Sequence, residues 1–550
     1  MKEKMILYQV FTRLYGNRNT TRKEGGTIEE NGCGKLNDFT PSTLKKIREM
    51  GVSHIWYTGV IRHATQTDYS AYGIPRQHPA VVKGRAGSPY AITDYYDIDP
   101  DLAVDVDQRM QEFEALIERT HKAGMKVIID FVPNHVARQY HSICKPDGVK
   151  DLGEGDNPQN GFDPQNNFYY CPGQRFTPYF DLYHGEEEPY IEEPAKATGN
   201  DCFHNAPGMN DWYETVKLNY GVDYYAGRVG HFQPIPDTWS KMTDILLFWA
   251  KKGIDGFRCD MAEMVPAAFW SWATDKVKFA YPQMIFIGEV YDPSQYRNYL
   301  TAGFDYLYDK VGMYDTLRAV VRGYQSTHSI TGAWQATDDI RDHMLYFLEN
   351  HDEQRIASSF FAGDAMKGIP ALVVSALLQQ NPLMIYAGQE YGERGMDKEG
   401  FSGNDGRTTI FDYWSIDTLV RAAQRKLTAQ EKQLKEQYNK VLAIACTERA
   451  VSDGVSFDLM YVNGHLQRQY AFLRKAGSDV MLVVVNFDEI EQTVDVTIPA
   501  HAFDYLKLKE KTAQAVDLLT DAKQKLPLCR DGAVTLALPP SGALILKFKA

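Results

Sequence analysis

The stretch Lys252-Gly-Ile-Asp-Gly-Phe-Arg-Cys-Asp260 decides how this chain is read. Ile254 to Cys259 has the length and composition of a short buried strand, bounded by Gly253 and followed by a carboxylate, Asp260. Side chains alternate along a strand, so Arg258 and Asp260 are expected on one face. A guanidinium beside a carboxylate favours the ionised acid, so Arg258 is expected to lower the pKa of Asp260. A positioned anionic Asp at the carboxyl end of a strand is suited to act as a nucleophile. Taken alone, an Arg-x-Asp is more often a structural pair, and the surrounding sequence decides.

Upstream, Trp239, Met242, Ile245, Leu246 and Trp249 form an apolar helical stripe, with Asp237 as the expected cap and Gly253 as the stop. The same unit occurs twice before. Thr40 and Pro41 open a helix with stripe Leu44, Ile47 and Met50; Gly51 closes it and a strand follows at Val52–Tyr57. Asp105 and Gln108 read as a capping box, followed by Met110, Phe113, Leu116 and Ile117, the stop Gly124 and the strand Lys126–Phe131. Further strands fit Met5–Phe11, Met284–Ile287, Phe304–Leu307, Met344–Leu348 and Leu383–Tyr386. Eight helix-linked strands are what an α/β TIM (β/α)8 barrel needs. No G-x-G-x-x-G follows a strand and there is no P-loop, so nucleotide binding has no support.

From Pro133 to about Val222 helical periodicity gives way to Gly, Pro, Asn, Asp and aromatic residues. That interval is too long for a simple loop, so a loop-rich subdomain inserted after strand 3 is expected. A helical region over about Ala429 to Arg449 precedes alternating segments at Gln469–Leu473, Met481–Phe487, Val494–Ile498 and Val534–Phe548. The expected division is a barrel over residues 1–132 and 223–454, an insertion over 133–222, and a C-terminal antiparallel β-sandwich domain over 455–550.

Bulk properties narrow the function. The net charge of −13 argues against nucleic-acid or anionic-membrane partners. Seven scattered Cys without a CxxC argue for reduced thiols rather than a disulfide frame or zinc site. The opening MKEKMILYQVF is neither signal peptide nor anchor, and the longest apolar run, Ile369 to Leu378, is too short to span a bilayer, so a cytoplasmic protein is expected. The 34 Tyr, 26 Phe and 8 Trp suit both a core and sugar-stacking platforms, and composition does not choose between them.

Barrel enzymes draw catalytic groups from several strand ends. Here those ends carry Asp130-Phe-Val-Pro-Asn134-His135, Arg258 with Asp260, Gly288-Glu289 and Glu349-Asn-His351-Asp352. These segments resemble the four signature regions of the alpha-amylase family, glycoside hydrolase family 13, in order and spacing. Lys217-Leu-Asn-Tyr220 resembles a fifth region, Gly51 to Trp56 the second strand, Ser88 to Tyr96 the segment with the sugar-stacking tyrosine, and Met384 to Glu390 the eighth strand. The resemblance covers nearly the whole chain.

The resemblance implies that Asp260 is the nucleophile of a retaining α-glucosidase reaction, Glu289 the general acid and base, and Asp352 a transition-state stabiliser. It implies that Arg258, His135, His351, Tyr90 and Arg355 contact or support the sugar. Retaining hydrolysis needs one ionised and one protonated carboxyl, and burial behind Met284–Ile287 is expected to favour the protonated form of Glu289. The implied substrates are malto-oligosaccharides or starch-like glucans joined mainly by α-1,4 bonds. The alternatives are an α-glucan transglycosylase and a non-catalytic glycan-binding member. No cofactor is needed for the chemistry; Asn134 matches a position that binds a structural calcium ion in some members and serves a purely structural role in others. Three departures stand out. Glu263 and Met264 replace a common Lys-His pair, Ala91 replaces an Asp found in exo-acting relatives, and no Asp-rich calcium loop lies within Asn17 to Asn31. Oligomeric state has no signal in the sequence.

Overall fold

The computed structural model describes residues 4–182, 185, 187–398 and 403–550. Residues 1–3 and 399–402 of the expected barrel, and 183, 184 and 186 of the expected insertion, lie outside the described residues. Eight parallel strands close a barrel: Ile6–Phe11, His54–Thr58, Lys126–Phe131, Gly256–Cys259, Ile285–Gly288, Tyr306–Tyr308, Met344–Phe347 and Leu383–Tyr386. Each pairs with its neighbours in chain order and the first with the last. Arg258 sits level with Asp130 on one side and Ile287 on the other, so the chemistry-bearing ends of strands 3, 4 and 5 lie side by side.

The glycine stops read from sequence work by geometry. Gly124 and Gly253 adopt φ +77° and +94°, a region that other residues enter at a cost, and each turns its helix directly into the next strand. Thr40 caps the helix Pro41–Arg48 through the Thr43 amide, as expected. Two other caps differ. Asp105 caps a one-turn 3-10 segment, Val106–Gln108, and the α-helix starts only at Arg109; Glu112 rather than Gln108 accepts the Val104 and Asp105 amides. Asp237 is the first residue of the helix Asp237–Lys251 rather than its cap, and its carboxylate pairs with Lys241 at 2.7 Å. An acid at that position favours the helix through the dipole without bonding a terminal amide.

The chain between strand 3 and Asp237 is largely irregular. Its regular parts are two-stranded ladders: His135–Ala137 with Thr215–Lys217, Tyr170–Cys171 with Ala195–Lys196, and Val222–Asp223 with Val229–Gly230. The first ladder returns the far end of the excursion to the barrel rim beside His135. A small apolar cluster of Val81, Cys171, Phe176, Ala195 and Tyr213 gives the excursion its own core.

The C-terminal part holds a six-stranded antiparallel sheet and a two-stranded one. The expected strand Val534–Phe548 is two strands, Gly532–Leu538 and Gly542–Lys549, broken at Pro539-Pro540. Strands Val455–Asp458, Lys511–Asp517 and Lys523–Leu528 and the helix Ala500–Leu506 add to the expected set. Arg474, fully buried, donates to the carbonyls of Leu378, Ala450, Val451 and Gly454. It thereby satisfies helix-end carbonyls on the barrel side and joins the two parts through one continuous apolar core.

Candidate active site

Arg258 organises the rim. It is fully buried, and the rings of Trp56, Tyr90 and Tyr308 lie 5.0, 5.6 and 5.4 Å from its guanidinium carbon. Nη1 donates to Asp260 Oδ1 at 2.8 Å and Nη2 lies 2.7 Å from Glu289 Oε2. Asp130 Oδ1 is 4.0 Å from Nη1, while its other oxygen accepts the Gly59 amide at 2.9 Å. A planar fork with donors on both terminal nitrogens is suited to hold two acids at fixed spacing. The strand alternation that placed Arg258 and Asp260 on one face is realised.

Backbone clamps fix the acids. The Asp260 amide donates to Phe131 O at 2.9 Å and the Glu289 amide to Cys259 O at 3.2 Å. Met261 adopts φ +42°, a costly conformation for a residue with a Cβ, and its amide donates to Glu289 Oε2 at 2.9 Å. Glu289 Oε1 accepts from the Tyr291 hydroxyl. Asp352 comes from the loop after strand 7, where Asn350 Oδ1 accepts its amide at 2.8 Å; its side chain is half-open to the cavity.

Electrostatics correct one expectation. The pKa of Asp260 is raised, not lowered: burial outweighs Arg258, and Glu289 and Asp352 add repulsion. Burial of its cavity-facing carboxyl and the nearby Glu289 likewise raise Asp352 to about 7 against the pull of Arg258. The sequence-based expectation weighs only the adjacent guanidinium and leaves out the burial and the two other acids placed at neighbouring strand ends.

His351 bridges the two sides of the site. Its Nδ1 lies 2.8 Å from Gln9 Nε2, and its Nε2 lies 2.6 Å from Tyr90 Oη and 3.1 Å from Asp352 Oδ2. Burial, with Arg258 nearby, lowers its pKa well below the usual range, so the ring is neutral. The Tyr90 ring stacks on His351 at 5.3 Å. His135 is buried with its ring 5.2 Å from Trp212, and burial with Lys217 and Lys83 nearby lowers its pKa to about 3.

Asp260, Glu289, Asp352, Tyr90 and His135 line one cavity of about 240 Å³, together with Met261, Tyr291, Trp212, Phe411 and the ion pair Lys83–Glu214 at 2.9 Å. Arg258 and His351 support that wall from behind. Arg355 is not brought to it. It is fully buried, donates to Glu349 at 2.9 Å, Thr408 at 3.0 Å and Ala387 O at 3.1 Å, and lies over Tyr386. The resemblance implied that Arg355 contacts or supports the sugar; its side chain instead ties strand 7 to the loop after strand 8.

A matching model of the alpha-amylase catalytic domain covers residues 9–440. The chain belongs to the alpha-amylase family. It is 25% identical over 501 residues to an alpha-amylase, MalA, of Haloarcula japonica, covering 90% of this chain and 56% of that protein. It is 25% identical to alpha-amylase 3 of Dictyoglomus thermophilum, covering 74% of this chain and 75% of that protein. A cyclomaltodextrin glucanotransferase of Geobacillus stearothermophilus is 23% identical, covering 88% of this chain and 59% of that protein. The chain thus spans between about half and three quarters of the length of these relatives. In fold it matches a maltogenic alpha-amylase, AmyB, of Thermotoga neapolitana with TM-score 0.65 at 19% identity, covering 99% of each chain. No helix among the described residues is long and apolar enough to cross a membrane.

The residues at Asn134 do not fit the calcium ion that some members of the family bind at the matching position. Asn134 Oδ1 accepts from Lys217 Nζ at 2.5 Å, and Lys217 Nζ also lies 2.6 Å from Asp201 Oδ1. Calcium draws on about 6–8 oxygens, and here an ammonium already takes these two. Tyr291 escaped the sequence reading, and so did the role of Glu263, which that reading marks only as a departure. Tyr291 reaches Glu289, and the alternation rule, which places residues two apart on one side, could have found it. Glu263 accepts the amides of Tyr291 at 2.9 Å and Asp292 at 3.0 Å, so this departure from the Lys-His pattern props the segment after Glu289. Trp212 and Glu214 had no sequence signal, because the excursion has no periodicity.

Proposed function

We propose that this protein hydrolyses α-glucosidic bonds, mainly α-1,4, in malto-oligosaccharides or starch-like glucans, with retention of anomeric configuration. The observation that carries the reading is Arg258 holding Asp260 and Glu289 on its two terminal nitrogens, with Asp352 on the same cavity. These two acids are taken as the closely spaced pair of a retaining enzyme, about 5–5.5 Å apart, rather than the about 6.5–9.5 Å of an inverting one.

In this reading an Asp260 oxygen attacks the anomeric carbon as the glycosidic C–O bond breaks. The proton of Glu289 goes to the departing sugar oxygen. Water then gives a proton to Glu289 and attacks the same carbon, releasing Asp260. Asp352 offers an acceptor to the sugar hydroxyls, and His351, behind it, holds Asp352 and Tyr90 in place. His135 bonds the same sugar, and Tyr90 supplies a ring face to it.

A second reading changes only the acceptor. Met261, Tyr291, Trp212 and Phe411 give the cavity an apolar side, which favours a sugar over water as the attacking group. A timed product profile on maltoheptaose, run beside Asp260→Asn, tests both readings. Short maltodextrins formed only by the unsubstituted protein support hydrolysis. Products longer than the substrate support transfer. No turnover on maltoheptaose, then on panose and sucrose, overturns both and leaves a glycan-binding role.

A further inference from the structure

We propose that Lys217 is a built-in cation that does the work of a divalent metal at the junction between barrel and insertion. Lys217 lies on the short strand that returns from the insertion, paired residue for residue with His135. Its side chain is only 2% exposed. The ammonium joins Asn134 Oδ1, from the barrel rim, to Asp201 Oδ1, from the insertion, and the Tyr224 ring lies 5.4 Å away. One carboxylate faces the ammonium and Arg228 adds positive charge nearby, so a calcium ion added there would place a further excess of positive charge in a buried site.

The surrounding backbone is shaped for this contact. Asp201 adopts φ +64°, and the turn that aims it is closed by the Thr198 amide on Cys202 O at 3.0 Å. Asn134 Nδ2 donates to Gly199 O at 2.7 Å, so both ends of the Asn134 amide are used. Gly199 packs so tightly that a Cβ there would meet His135 Cβ at 2.9 Å and Thr215 Oγ1 at 2.6 Å. The loop held by Lys217 therefore presses on His135, which lines the cavity. Through Asn134 and Asp201, Lys217 acts as a positioning residue for that wall.

The test uses the full chain and reads the thermal midpoint and maltoheptaose turnover. The unsubstituted protein is expected to show the same midpoint and turnover in excess EDTA and in added calcium. Lys217→Met, which keeps the bulk and removes the charge, is expected to lower the midpoint by several degrees and raise KM more than it lowers kcat. Lys217→Ala leaves the Asn134 and Asp201 oxygens facing a void. Methylammonium or calcium is expected to raise the midpoint of Lys217→Ala, and to leave Lys217→Ala/Asp201→Asn and the unsubstituted protein unchanged. If the Lys217 variants fail to fold, Asp201→Asn reports on the same contact: a lowered midpoint with continued indifference to EDTA supports the proposal. An unsubstituted protein that loses stability in EDTA and regains it with calcium overturns the proposal. So does a Lys217→Met variant, or in its absence an Asp201→Asn variant, that matches the unsubstituted protein.

Discussion

Two buried cations hold this molecule's rim, and they carry different loads. Arg258 faces Asp260 and Glu289 at hydrogen-bond distance, with Asp130 at 4.0 Å and Asp352 on the same cavity. Lys217 faces one carboxylate and one neutral amide. Around Arg258 negative charge is in excess, and the pKa values of Asp260 and Asp352 are raised. At Lys217 one ammonium meets one carboxylate, with the Arg228 charge beyond. Excess negative charge in a buried site makes proton movement inexpensive, whereas a single close pair fixes geometry. The first arrangement suits catalysis and the second suits support.

Four substitutions break or sharpen this contrast. The largest effect is expected from Asp260→Asn. Loss of a nucleophile should lower kcat by at least about 10⁴-fold. Removing one of several crowded acids should also leave the thermal midpoint equal or higher, as expected where function is bought with stability. A midpoint several degrees lower would contradict the picture of excess charge. Next comes Arg258→Met, which strands buried carboxylates without their cation. A loss of about 3–5 kcal/mol is expected, read as a large fall in the denaturation midpoint, because breaking a buried pair leaves its partner uncompensated.

A third test uses pH. Asp352, raised to about 7, binds a proton in the folded chain that the unfolded chain has already lost. Its contribution to stability is therefore present below the ordinary carboxylate range and is lost as pH rises through about 7. Asp352→Asn should flatten the fall of the thermal midpoint between acid and neutral pH; an unchanged slope would show that other acids set it. The smallest effect is expected from Glu263→Gln, which weakens the prop under Tyr291. A kcat loss of up to about tenfold is expected, well short of the about 10²–10⁴-fold that general acid catalysis supplies. The loss should be greater on maltoheptaose than on α-glucosyl fluoride, whose leaving group needs little protonation. Equal losses on both would mean that Glu263 acts on something other than the acid.

The barrel was legible because each unit punctuates itself. An apolar stripe at helical spacing, a glycine in the left-handed region and a short apolar strand recur at Gly51, Gly124 and Gly253. The acids at the strand ends followed from that count. Helix starts were less legible, because an Asp near a helix can serve a 3-10 turn, as Asp105 does, or the first helical residue, as Asp237 does. The cavity wall from Trp212 and Glu214 was illegible, since chain without periodicity gives no rule for which side chain faces in. The reversal at Asp260 has a similar origin. Sequence adjacency shows the nearest charge, Arg258, but not how strongly burial and the neighbouring acids weigh against it once the barrel closes.

The measurement that bears most directly on the paired hold of Arg258 on Asp260 and Glu289 is the anomer first released from maltoheptaose, followed by proton NMR before mutarotation. The account predicts the α-anomer in excess at the earliest times, with the β-anomer appearing only as the sugars equilibrate. A β-anomer formed first would mean single-step inversion, and Asp260 would not be the nucleophile described.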